Sequence, residues 1–256
     1  MKIFDTHSHY DDAAFEGDRE QLLNSLTKHG IGKIVNVGAD IQSTRNTLLL
    51  TQQYSFVYGA AGVHPSETGG LDEEQINWLR QVANEEKIVA IGEIGLDYYW
   101  KEPEPETQKY WFVRQLALAR EMKLPVIIHS RDAAKDTLDI IRTEQAKETG
   151  GIIHCFSYGI ELAKEYLQMG FYLGIGGVVT FRNAKKLKEV VKYAPLEQLV
   201  LETDCPYLSP EPNRGQRNSS LNLPYVAEQI GQIKGIPTDE VIAITSRNAE
   251  KLFFNL

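Results

Sequence analysis

The chain has 256 residues, 42% hydrophobic and 24% charged, a balance that excludes a disordered polymer and supplies enough apolar material for a sizeable core. Thirty-five acidic against 27 basic residues leave a net charge of −8, which argues against a broad basic groove for nucleic acid but not against a local phosphate site. Two cysteines are too few for a disulfide framework and point to a reducing, cytoplasmic setting.

No run of about 18 apolar residues suggests a membrane span. The opening Met1-Lys2-Ile3-Phe4-Asp5 carries no apolar leader. Short β-branched runs alternate with longer amphipathic stretches. Strands are predicted over 2–5, 33–37, 56–62, 88–91, 125–128, 151–153, 171–174 and 199–201. Helices are predicted between them over 19–29, 43–53, 73–84, 107–122, 131–143, 160–169 and 184–193. Two further helices, 223–234 and 238–253, close the chain, the last with Thr238 as its cap. Eight strand–helix repeats predict a single (β/α)8 TIM barrel over 1–256, with an extra C-terminal helix. An open doubly wound sheet would carry a glycine-rich first turn, whereas the first strand here ends in histidines.

Those histidines begin the chemistry. In an extended segment, residues two apart share a face, so His7 and His9 can meet one ion from a strand end. His64 follows the third predicted strand, His129 the fifth and His154 the sixth, while Glu93 ends the fourth and Asp204 the eighth. Parallel barrels open all strand C-termini onto one face, so residues scattered over the chain converge there. Any one of these histidines alone reads as a hydrogen-bonded core residue, but the coincidence of all of them at one rim does not. Glu93 and Asp204 brought close together without a cation would repel each other, and a divalent ion removes that cost. Six ligands exceed the three or four protein donors usual for one catalytic zinc, so two ions with a bridging carboxylate are the simpler expectation.

These motifs resemble the TatD-type metal-dependent hydrolases of the amidohydrolase superfamily. The resemblance spans essentially the whole chain. It rests on Phe4-Asp5-Thr6-His7-Ser8-His9, Gly62-Val63-His64-Pro65, Gly92-Glu93-Ile94-Gly95-Leu96-Asp97-Tyr98, His129-Ser130-Arg131, His154-Cys155-Phe156-Ser157, Glu202-Thr203-Asp204-Cys205-Pro206 and Arg214-Gly215-Gln216-Arg217-Asn218. It implies a TIM barrel and a deoxyribonuclease of the 3′–5′ exonuclease type acting on DNA ends or single strands; no stable protein partner is evident in the sequence. It also implies that His7, His9, Glu93 and Asp204 bind one metal, that Glu93, His129 and His154 bind a second, and that His64 contacts substrate phosphate. Two positions depart from the family's pattern: Gln216 stands where a lysine is usual, and Ser219-Ser220 replaces a common acidic-Pro continuation.

The expected mechanism is hydrolysis assisted by two divalent ions (Mg, Mn or Zn), with Asp204 accepting the water proton and Glu93 bridging. Imidazole donors suit Zn, Mn, Fe, Co or Ni, whereas Mg prefers oxygen. Arg131, Arg214 and Arg217 can supply forked donors to phosphate, though Arg131 equally suits a cap or ion pair on the next helix. Asp97, Tyr98, Tyr99 and Trp100 read either as a base-stacking segment or as a loop over the barrel mouth. Glu202, on the same strand face as Asp204, suits a partner for a metal-binding histidine. Alternation turns Cys155 and Cys205 away from the ligands they follow. The run Gly174-Ile175-Gly176-Gly177 fits either a phosphate cradle or close packing. Two rival functions share the metal cluster: an amidohydrolase-type enzyme acting on an amide, ester or lactone, and a non-catalytic metal-binding protein.

Overall fold

All eight strands of the computed structural model, which describes residues 2–255, run parallel and pair in chain order. They are β1 (Ile3–Ser8), β2 (Ile31–Val37), β3 (Val57–Ala61), β4 (Ile88–Asp97), β5 (Val126–Arg131), β6 (Gly151–Ile153), β7 (Tyr172–Ile175) and β8 (Leu199–Leu201). Parallel neighbours need a crossover, and a helix supplies each one. The helices are α1 (Arg19–Leu26), α2 (Ile41–Gln53), α3 (Glu73–Val82), α4 (Pro105–Met122), α5 (Ala134–Thr143), α6 (Ile160–Gln168), α7 (Lys185–Tyr193), α8 (Leu223–Lys234) and α9 (Thr238–Phe254). The ring closes where Ser8 bridges Cys205 in parallel, with Asp204 N–H donating to the His7 carbonyl at 2.9 Å and His9 N–H to that of Cys205 at 2.9 Å. The result is a (β/α)8 TIM barrel with α9 as an additional C-terminal helix. Among the described residues, no helix is long and apolar enough to cross a membrane.

Both faces of the sheet are covered, which is why short runs such as Ile152-Ile153 and Leu199-Val200-Leu201 are apolar throughout. The main core joins the outer strand faces to the helices. A second cluster links Phe4, Val35, Ala60, Ile127, Ile152 and Val200 to Ala249 and Phe253 of α9, so the additional helix packs against strands from all round the ring.

Three sequence expectations need correction. Strand β4 runs six residues past its predicted end, so Glu93 lies within it rather than closing it. Gly95 permits this: its φ is +143°, and a Cβ there would overlap the His129 carbonyl of β5. Arg131 is the last residue of β5, and α5 starts only at Ala134. Thr238 is the first helical residue of α9, behind Pro237 at the cap position, and its side chain makes no capping bond; the proline ring sets the entry angle instead.

Candidate metal centre

The strand ends deliver their polar residues to one rim. His7 leaves β1 and His9 follows it. Glu93 and Asp97 come from β4 and His129 from β5, while His154 directly follows β6 and Asp204 lies three residues past the end of β8. His64 follows β3, where its Nδ1 pairs with the Ser66 hydroxyl at 2.8 Å and its Nε2 stands 3.9 Å from Glu93 Oε1. A cavity of about 700 Å³ opens over these groups.

Two donor sets meet on Glu93. On one side, His7 Nε2 and His9 Nε2 lie 3.0 Å apart, and both approach Glu93 Oε2, at 3.4 and 3.8 Å, and Asp204 Oδ1, at 3.7 and 3.4 Å. Four donors bound tetrahedrally at about 2.0–2.1 Å stand roughly 3.4 Å from one another, so this spacing suits a metal ion of zinc size. On the other side, Glu93 Oε1 faces His129 Nδ1 at 2.8 Å and His154 Nε2 at 3.7 Å. His64, Glu93 and His129 also group as donors, so His64 has a metal-ligand geometry as well as the phosphate-contact role expected of it.

His129 lies between two carboxylates, because its Nε2 is also 3.1 Å from Asp97 Oδ2. A neutral imidazole donates through one nitrogen only, so the second contact calls for a cation, either a proton or a metal ion. Asp97 is itself held by the Gln108 side chain, which accepts from its N–H at 2.8 Å and donates to its carbonyl at 2.9 Å. The sequence leaves Asp97 open between a base-stacking segment and a loop over the barrel mouth, whereas the structure puts it at the end of β4 against His129. The signal available was its i+4 spacing from Glu93, obscured because the strand was ended too early.

Charge accounts for the titration of the cluster. Burial depresses His7, together with the neighbouring His154, and burial takes His64 down to about 4. Burial also opposes charge on His9 and His154, but carboxylates outweigh it: Asp204 and Glu93 hold His9 up at about 9, and Glu202, Asp204 and Glu93 hold His154 at about 10. Glu93 is buried, yet the imidazoles of His7, His64 and His154 keep its carboxyl well below the ordinary range. Asp204 follows the same pattern and is the more open carboxylate, with 19% of its side chain exposed against 5% for Glu93.

The remaining candidates divide. Arg131 reaches the cavity with its guanidinium 3.9 Å over the Tyr99 ring, and neither caps nor bridges α5. Arg214 and Arg217 do not line the cavity: the loop after β8 carries Arg214 over Phe181 and locks Arg217 onto both oxygens of Asp18 at 2.8 and 2.6 Å. Stacking and local ion pairing hold these two side chains away from the cavity lining. Ser220, one of the two departures from the family pattern, turns inward to donate to Asp5 at 2.6 Å, so it supports the barrel rather than facing substrate. Trp100 lines the cavity mouth, whereas the Tyr98 hydroxyl bonds Asp136 at 2.8 Å. Cys155 adopts φ +44°, and its sulfur groups with His154 and Asp204, against the alternation that predicted it would face away. The glycine run serves packing, since side chains at Gly174 or Gly177 would overlap Glu202 or the Leu208 carbonyl.

An all-parallel barrel with imidazole and carboxylate donors converging at its C-terminal rim has the build of a metal-dependent hydrolase. The model of the family described as TatD related DNase matches residues 4–254. The chain is 43% identical over 251 residues to the uncharacterized metal-dependent hydrolase YabD of Bacillus subtilis (strain 168), covering 98% of each. It is 36% identical to the uncharacterized metal-dependent hydrolase YcfH of Escherichia coli (strain K12), covering 99% of this chain and 96% of that one. The crystal structure of YjjV, a TatD homolog from Escherichia coli K12, superposes with a TM-score of 0.92 at 31% identity, covering 99% and 98%. The chain belongs to the TatD family of metal-dependent hydrolases.

Proposed function

We propose that this hydrolase cleaves phosphodiester bonds at DNA ends or in single strands, as a 3′–5′ deoxyribonuclease built around two divalent ions. The observation that carries this reading is Glu93, whose Oε2 faces His7 and His9 while Oε1 faces His129 and His154. His7, His9, Glu93 and Asp204 would hold one ion, and Glu93, His129 and His154 would hold the other. Divalent ions bound there, Mg, Mn or Zn, supply Lewis acidity, making water nucleophilic near neutral pH and offsetting the charge that builds on the cleaved ester. Asp204, the more open carboxylate, accepts the proton the attacking water gives up. His64, neutral at pH 7, and Arg131 present their nitrogens to the phosphate oxygens.

Among the described residues, Arg131 is the one lysine or arginine lining the cavity. Following a long backbone needs a row of cations, so this lining favours a strand end or a short strand over a duplex. Trp100 offers a face on which a terminal base can stack. The free thiols Cys155 and Cys205 suit a reducing, cytoplasmic location.

A second reading, hydrolysis of an amide, ester or lactone, is favoured by the wall carrying Asp11, Asp12 and Asp40, which suits a substrate of low negative charge. End-labelled single strands incubated with the Mn-loaded protein and sized on a gel separate the two. A ladder shortened from the 3′ end is expected, with Asp204→Asn slowing turnover by about 100-fold or more while part of the metal is retained. Intact strands beside rapid cleavage of a small ester or lactone would select the second reading. Bound metal without turnover of either would leave a binding protein.

A further inference from the structure

Beneath the rim lie three buried polar atoms without a hydrogen-bond partner: His7 Nδ1, His154 Nδ1 and Glu202 Oε2. Buried polar atoms in folded proteins are almost always paired, so three orphans in one place call for a cause. They belong to one cluster, in which a nitrogen of each ring and an oxygen of Glu202 lie within 4.8 Å of one another. The two imidazoles are stacked, with centroids 3.5 Å apart and planes 18° off parallel. Glu202 is wholly buried. Its Oε1 accepts from the Cys155 N–H at 2.6 Å and stands 3.1 Å from His154 Nδ1, an ion-pair contact not yet aligned as a hydrogen bond. Gly174 makes the space, because a side chain there would overlap both Glu202 oxygens.

The geometry points to Glu202 as a shared positioning residue that couples the two metal sites, an inference resting on the two-ion reading above. If the Nε2 atoms of His7 and His154 turn lone pairs to the ions, each ring carries its proton on Nδ1. Two buried N–H donors then need acceptors. One carboxylate supplies both: Oε1 for His154, and the unpartnered Oε2 for His7. His7 belongs to the first donor set and His154 to the second. The ion that arrives first orients one ring, that ring fixes the carboxylate, and the carboxylate fixes the other ring. The second ion therefore meets a site already ordered, and uptake becomes cooperative. His129 and His9 lie outside this link, being backed separately by Asp97 Oδ2 at 3.1 Å and the Val37 carbonyl at 2.9 Å.

The test is calorimetric titration of the chelator-stripped full chain with zinc ion. Wild type is expected to take up two ions in one steep phase. Glu202→Gln keeps an acceptor for the Cys155 N–H but offers its amide NH2 on the other side, so uptake should split into two phases whose affinities differ by about 10–100-fold. Asp97→Asn, which touches only one donor set, should weaken one ion without abolishing the coupling. Should Glu202→Gln fail to fold, histidine 15N NMR of the zinc-loaded wild type still decides, since both His7 and His154 should then show hydrogen-bonded Nδ1 protons. Two independent ions in wild type, an unsplit phase in Glu202→Gln, or a His7 Nδ1 proton without an acceptor would overturn the coupling and leave the two-ion site standing. Uptake of one ion or none by wild type would instead overturn the two-ion reading itself.

Discussion

His129 owes its orientation to a carboxylate that meets the ring nitrogen turned away from Glu93. Asp97 accepts from its Nε2 and so leaves Nδ1 turned toward Glu93. Removing such a partner weakens metal binding at the ring it supports by about 10–100-fold. Asp97→Ala is therefore expected to lose one of two ions on dialysis against a weak chelator, and so is Asp97→Asn, in which Oδ1 stays on the Tyr99 N–H and the amide NH2 replaces Oδ2 opposite Nε2. Metal analysis after dialysis checks this, and wild-type retention in both variants would remove Asp97 from the account. At the same scale, Gly174→Ala should displace the Glu202 carboxylate and lower metal content although it touches no donor to the ions. An unchanged metal content would show that the space can be made in another way.

Closure of the barrel depends on a few buried bonds between the first and last strands. Asp5 of β1 accepts from the Thr203 N–H at 3.0 Å, the Thr203 hydroxyl at 2.7 Å, the Ser220 hydroxyl at 2.6 Å and the His7 N–H at 3.3 Å. These tie β1 to the segment that delivers Asp204. Asp5→Ala strands several buried donors and should cost at least about 3 kcal/mol in urea unfolding. A loss below about 1 kcal/mol would mean that water or rearrangement satisfies them. Asp5 stood in a motif without a role in the sequence reading, since nothing along the chain ties it to Thr203 or Ser220. The additional helix is anchored differently, through Phe253 in the cluster with Phe4 and Val35, and Phe253→Ala should destabilise by about 3 kcal/mol.

Across the whole molecule, the cluster couples stability, pH and metal. In the metal-free protein, His9 and His154 titrate at about 9 and 10, above the ordinary 6.5. A raised folded-state value contributes stability that is complete below pH 6.5 and is lost as pH rises through 9 and then 10. Bound ions take the place of those protons. The difference in melting temperature between metal-loaded and stripped protein should therefore widen from pH 6.5 to pH 9, and a constant difference would reject the linkage. Zinc binding near pH 7.5 should also release protons, which calorimetry in two buffers of different ionisation enthalpy reads directly.

Most of the architecture is legible along the chain, because burial on a strand or a helix repeats with a short local period that each segment writes for itself. That is why eight alternations, a trailing helix and the rim placement of His7, His9, His64, His129, His154, Glu93 and Asp204 follow from residue order. Which oxygen of Glu93 faces which imidazole, the pairing of Asp97 with His129, the diversion of Arg217 to Asp18 and the inward turn of Ser220 were decided only by the closed barrel. Those contacts join residues up to about two hundred positions apart, and their partners depend on the path of every loop between them, which no local period records.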